Sequence, residues 1–106
     1  AIRSVAEERG FEWAAYGHAG DGNMHCFVVV PDKEGWHDVL DGVLAELYAK
    51  VLSLGGTISG EHGIGYKRKG YMKLFLDQGQ LELIKRVKLA FDPQNILNPG
   101  KIVEWE

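Results

Sequence analysis

The sequence predicts an α+β domain on three observations. Two aromatic and β-branched runs flank a glycine-rich stretch, a long segment repeats its apolar residues at helical spacing, and a second such segment opens on a capping box. At 106 residues the chain fits one domain, because a core of this size buries roughly two thirds of the unfolded chain's surface.

The elements follow in order. Residues 1 to 10 contain Ser4-x-x-Glu7 and close on Gly10, which fits the last turns of a helix and makes the chain read as a fragment of a longer one. Phe11 to Tyr16 carries three aromatics and no breaker, and Met24 to Val30 is a β-branched and aromatic run stopped by Pro31-Asp32, so both are expected as strands. The glycines between them, Gly17 to Gly22, allow an antiparallel pairing. In Trp36 to Leu52 the apolar residues stand at 36, 39, 40, 43, 44, 47, 48, 51 and 52, an unbroken helical repeat. Gly55 to Gly65 is a second glycine-rich loop, and Asp77-x-x-Gln80 caps a helix over Leu81 to Phe91 that Asp92-Pro93 ends. The tail from Asp92 to Lys101 holds two prolines and two asparagines, the composition of a structured turn. Two strands and one covering layer make a thin fold, so partner layers are expected to be missing and the chain to self-associate.

Composition removes several function classes. The net charge of -3 and pI near 5.8 oppose nucleic-acid binding, and only Lys67-Arg68-Lys69 is locally basic. The longest apolar run, Phe27-Val28-Val29-Val30, is far short of a bilayer span, and Ala1 to Gly10 lacks a signal peptide's apolar region. A single cysteine, Cys26, suits a reducing compartment, so the expected location is cytoplasmic. Trp13, Trp36 and Tyr48 are expected in the core or at a subunit contact.

The chemistry-bearing residues sit in the two glycine-rich stretches. His18-Ala-Gly-Asp-Gly-Asn-Met-His25 puts one imidazole at the entry of a tight turn and one in the strand that follows it, where both rings can meet. Two imidazoles, one carboxylate and an open position make a catalytic metal site, and Glu61 in Gly60-Glu61-His62-Gly63 is the candidate carboxylate. The same residues also read as a plain turn with histidines beside it. The second stretch is no nucleotide loop: Tyr66 follows Gly65 where a Walker loop needs lysine, and Arg68 takes the last glycine position of a dinucleotide fingerprint. Adjacent acid and imidazole, Glu61 and His62, can instead divide ligation and proton transfer.

Three segments together carry a family resemblance: His18-Ala-Gly-Asp-Gly-Asn-Met-His25, Gly55-Gly-Thr-Ile-Ser-Gly-Glu-His-Gly-Ile-Gly65 and Phe91-Asp-Pro-Gln-Asn-Ile-Leu-Asn-Pro-Gly-Lys101. From about residue 11 to 102 the chain resembles the C-terminal domain of FAD-linked oxidases of the vanillyl-alcohol oxidase superfamily, in the branch of the glycolate oxidase FAD subunit, D-lactate dehydrogenase and D-2-hydroxyglutarate dehydrogenase. The resemblance implies the last part of a cap domain, an antiparallel sheet of ferredoxin-like type with helices on one face, and an FAD-binding domain upstream. It implies a divalent metal, zinc by preference, on His18, His25 and Glu61, with His62 as the base and Asn98 as the flavin contact. The implied reaction is oxidation of a small 2-hydroxy acid with hydride passing to FAD, and the implied partners are electron-transfer subunits that would hold the protein at a membrane surface. Phe27 stands where the D-2-hydroxyglutarate branch places an asparagine, which favours a small hydroxy acid over one with a second carboxylate. The group expected to grip the substrate carboxylate lies upstream of Ala1, so the chain alone is expected to be inactive. A metal-dependent hydrolase and a binding module without chemistry are the competing readings.

Overall fold

The computed structural model describes residues 1–30 and 34–105, and the strand stop expected at Pro31-Asp32 lies outside the described residues. The architecture is α+β, with four α-helices and a two-stranded antiparallel sheet among the described residues. The chain forms two compact units, Ala1–Glu61 and His62–Glu106.

In the first unit, α1 (Ile2–Glu8) ends where the Gly10 N–H donates to the Glu7 carbonyl at 3.1 Å and the Phe11 N–H to the Ala6 carbonyl at 2.9 Å. The chain then enters β1 (Glu12–His18), which pairs with β2 (Asn23–Val29) from Glu12↔Val29 to His18↔Asn23. β1 runs two residues past the expected Tyr16 because Gly17 is a strand residue rather than the start of the turn. A β-carbon at Gly17 would stand 2.3 Å from the Asn23 carbonyl oxygen, so only glycine lets the two backbones close at this point.

α2 (Trp36–Ser53) follows the predicted periodicity, with the Ser53 hydroxyl donating to the Lys50 carbonyl at 2.7 Å at its end. The core is Ile2 and Val5 of α1 against Val43 and Leu47 of α2, with Phe11, Val28 and Val51 packed on it. Val5 and Val43 are fully buried. Burying such a side chain stabilises by about 1.5–3 kcal/mol, so this small cluster supplies the main apolar cohesion of the unit. Trp13 and Trp36 do not enter it: they remain 39% and 38% exposed, because the cluster is too small to cover every apolar position of α2 and the sheet. Outside the core, Arg9 donates to the Glu46 carboxylate at 2.9 and 3.2 Å, and this guanidinium holds the Glu46 carboxyl below its ordinary range.

The second unit is built from a 3-10 turn at Lys69–Tyr71, α3 (Met72–Phe75), α4 (Gln78–Phe91) and the tail. The Gln80 N–H donates to Asp77 Oδ1 at 2.8 Å and the Asp77 N–H to Gln80 Oε1 at 3.0 Å, the reciprocal cap read from the sequence. Past α4, Asp92 turns the chain as a buried hub. Its carboxylate accepts from the Ile96 N–H at 3.1 Å, the Leu97 N–H at 2.9 Å and the Lys88 ammonium, and that ammonium also donates to the Leu97 carbonyl at 2.8 Å. Asn95 and Asn98 take left-handed conformations, φ 50° and 47°, the role asparagine tolerates best after glycine. The tail folds back with the Ile102 N–H on the Gly65 carbonyl at 2.7 Å, and Val103 is 1% exposed. No helix among the described residues is long and apolar enough to cross a membrane.

Candidate metal centre

Strand alternation decides which side chains share a face. Tyr16 and His18 of β1 lie with their neighbours His25 and Phe27 of β2 on one face of the hairpin. Val28, one residue out of step, points to the other face and packs on the helical core. The helices cover the Val28 face, leaving the imidazole face open to function.

Glu61 comes to this face from the loop after α2. Its Oε1 lies 3.2 Å from His25 Nε2 and 3.8 Å from His18 Nε2. The loop can come so close because residue 60 is glycine. A β-carbon there would stand 2.1 Å from Oδ1 and 2.5 Å from Cγ of Asn23. His25 is the most enclosed of the three, with 28% of its side chain exposed, against 42% for Glu61 and 66% for His18.

Two ligand atoms each about 2.1 Å from a tetrahedral zinc lie roughly 3.4 Å apart. The 3.2 and 3.8 Å separations bracket that spacing, with two imidazole nitrogens and one carboxylate oxygen as donors. His18 and His25 each stand at such a spacing from Glu61, but among the described residues the three do not form a group whose ligand atoms all lie within 4.8 Å of one another, so an ion shared by all three needs one imidazole to move.

Two contributors were not singled out from the sequence. Tyr16 stands between the second histidine and Phe27, its ring 5.3 Å from His25 at 34° and 5.5 Å from Phe27 at 14°. Its position two residues before His18, on the same strand parity, was the available signal. Asn23 read only as a turn residue, yet its side chain packs the loop that carries Glu61. His62 follows Glu61 directly and is the first residue of the second unit, and Asn98 lies exposed in the tail of that unit, in the turn held by Asp92. Asn98 is a single exposed amide and forms no cradle for a cofactor.

Comparison with known proteins gives a consistent set of likenesses. The family described as "FAD linked oxidases, C-terminal domain" matches residues 1–102. The chain is 48% identical over 99 residues to the D-lactate dehydrogenase of Archaeoglobus fulgidus, covering 93% of this chain and 22% of that protein. It is 40% identical over 104 residues to the glycolate oxidase subunit GlcD of Bacillus subtilis, covering 96% and 22%. To the D-2-hydroxyglutarate dehydrogenase of Stutzerimonas stutzeri it is 37% identical over 95 residues, covering 87% and 20%. The chain thus spans about a fifth of the length of these relatives.

Proposed function

The chain belongs to the family of FAD linked oxidases, C-terminal domain, and from that premise we propose that it is the substrate- and metal-binding part of a flavin-dependent oxidoreductase. The reaction is oxidation of a small 2-hydroxy acid, of the glycolate or D-lactate type, to the 2-oxo acid. The observation that carries the reading is the convergence of His18 and His25 on one oxygen of Glu61.

In this reading His18, His25 and Glu61 would hold a divalent metal, zinc by preference, which would supply Lewis acidity toward an α-hydroxyl. His62, next in the chain to Glu61, accepts the hydroxyl proton, assistance worth typically about 10²–10⁴-fold in rate. FAD, when bound, would supply the acceptor for the hydride that leaves the α-carbon, and Asn98 would be its contact from this chain. Tyr16 and Phe27 form an aromatic wall beside His25 that suits a short apolar substituent better than a second carboxylate.

The FAD-binding domain belongs to the remainder of a longer chain, as the lengths of the relatives support. Electron-transfer subunits complete the set of partners. Tyr16, Phe27 and Val29 are 59%, 50% and 59% exposed on one sheet face, apolar area that favours self-association of this part alone.

The test is anaerobic spectroscopy of the longer protein. It should purify yellow and bleach on addition of D-lactate or glycolate. A colourless protein that hydrolyses esters or amides would establish the hydrolase instead, and a coloured one indifferent to every hydroxy acid would remove the substrate assignment.

A further inference from the structure

The second unit carries a cavity of about 260 Å³ among the 3-10 turn, α3, the first turns of α4 and the end of the tail. At about 30 Å³ per water it has room for roughly nine water-sized groups. Its floor is apolar, made by Met72, Leu81 and Val103, with Met72 and Val103 only 7% and 1% exposed. Its rim is cationic: Lys69, Lys73 and Lys85 line it, opposed by the single carboxylate of Glu104.

These charges are not matched internally. Lys69 donates to the Gly100 carbonyl at 2.9 Å and lies 4.7 Å from the centre of the Tyr66 ring. Neither contact brings a negative charge. The Lys73 and Lys85 ammonium groups and the Glu104 carboxylate form no hydrogen bond or ion pair with the described residues. Lys85 is half-buried, which makes an uncompensated ammonium there more costly than on an open face. The lining therefore has an excess of positive charge beside an apolar floor.

We propose that this cavity binds a small amphiphilic anion, a carboxylate or phosphate monoester with a short alkyl group. Its charged end lies among Lys69, Lys73 and Lys85, and its alkyl end over Met72, Leu81 and Val103. The site is separate from the hairpin histidines, needs no metal or flavin, and stands or falls independently of the proposed oxidation.

The experiment is a titration of the metal-free 106-residue chain, followed by amide resonances, with butyrate, butyl phosphate, acetate, inorganic phosphate and butylammonium as probes. Butyrate and butyl phosphate should shift the amides of Lys73, Leu81, Lys85 and Val103 saturably. Two added methylenes, at about 0.8 kcal/mol each, make butyrate about ten-fold tighter than acetate. Butylammonium should not bind. Lys85→Gln should weaken butyrate several-fold and Lys85→Arg should restore it, while Lys67→Gln, outside the lining, should leave it unchanged. Equal affinity for acetate and butyrate, or equal effects of Lys85→Gln and Lys67→Gln, would overturn the site. Should Lys85→Gln lose its dispersed spectrum, Lys73→Gln and the butylammonium comparison on the unaltered chain decide the matter.

Discussion

The side chain of Asn23 fills the space that a β-carbon on Gly60 would need, with Oδ1 2.1 Å from that position. The contact joins the head of β2 to the loop that carries Glu61, and the obstacle is a rotatable side chain rather than backbone. Gly60→Ala should therefore leave the fold intact but push the loop away from the imidazoles, weakening zinc binding several-fold. Asn23→Ala in the same chain should recover most of the loss. Calorimetric zinc titration of both variants checks this, and additive losses would show that the two residues do not act on one another.

His18→Ala, His25→Ala and Glu61→Ala should each lower zinc affinity by a large factor, while His62→Ala keeps most of it. Binding should weaken as the pH falls, since ligand imidazoles must be neutral. Equal loss in all four variants would make His62 a ligand rather than the base. No loss in any would leave the turn without a metal role.

Val43→Ala removes two buried methyl groups from a fully enclosed site. At about 0.8 kcal/mol per methylene, plus a cavity that the neighbours fill only in part, the loss is about 2 kcal/mol. Leu83 is 61% exposed on α4, so Leu83→Ala should stay within about 0.5 kcal/mol of the parent. Urea unfolding of the two variants makes the comparison.

Asp92 gives the second unit a defined acid sensitivity. The Lys88 ammonium, then the Leu97 and Ile96 N–H groups, hold its carboxyl below the ordinary range. A depressed folded pKa means stability that is fully present above the unfolded value of about 3.9 and lost as pH falls through the folded value. Asp92→Asn should lower the melting temperature at pH 7 by several degrees and flatten its fall below pH 4. A variant with the parent's melting temperature and acid profile would deny Asp92 that role.

Much of the fold was legible because its signals are local. The capping box at Asp77 and Gln80, the unbroken repeat from Trp36 and the aromatic runs around Gly17 to Gly22 each specify their own element. The 3-10 turn at Lys69 and the one-turn α3 are too short to show a period, and they form only on tertiary support. Asp92 looked like a terminator beside Pro93, and nothing local announces that its carboxylate gathers Lys88, Ile96 and Leu97. At the candidate site, the residue types in the two glycine-rich stretches brought out His18, His25 and Glu61, whereas Tyr16 and Asn23 emerge only from the strand register and the rotamer against Gly60. Trp13 and Trp36 were expected in the core or at a subunit contact, and they stay out of the core because burial is decided by the area of the facing layer, which is small here.

The hairpin register also sets a clock. His18 and His25 are neighbours through a turn that closes locally, on the roughly 1–10 μs scale of hairpin formation, while Glu61 reaches them only after α2 has docked. The two imidazoles thus share a face by local closure, whereas Glu61 joins them by a long-range one. If His18, His25 and Glu61 hold an ion as proposed, its capture during refolding is expected in two stages, a loose grip by the imidazoles followed by a tight one once the carboxylate arrives.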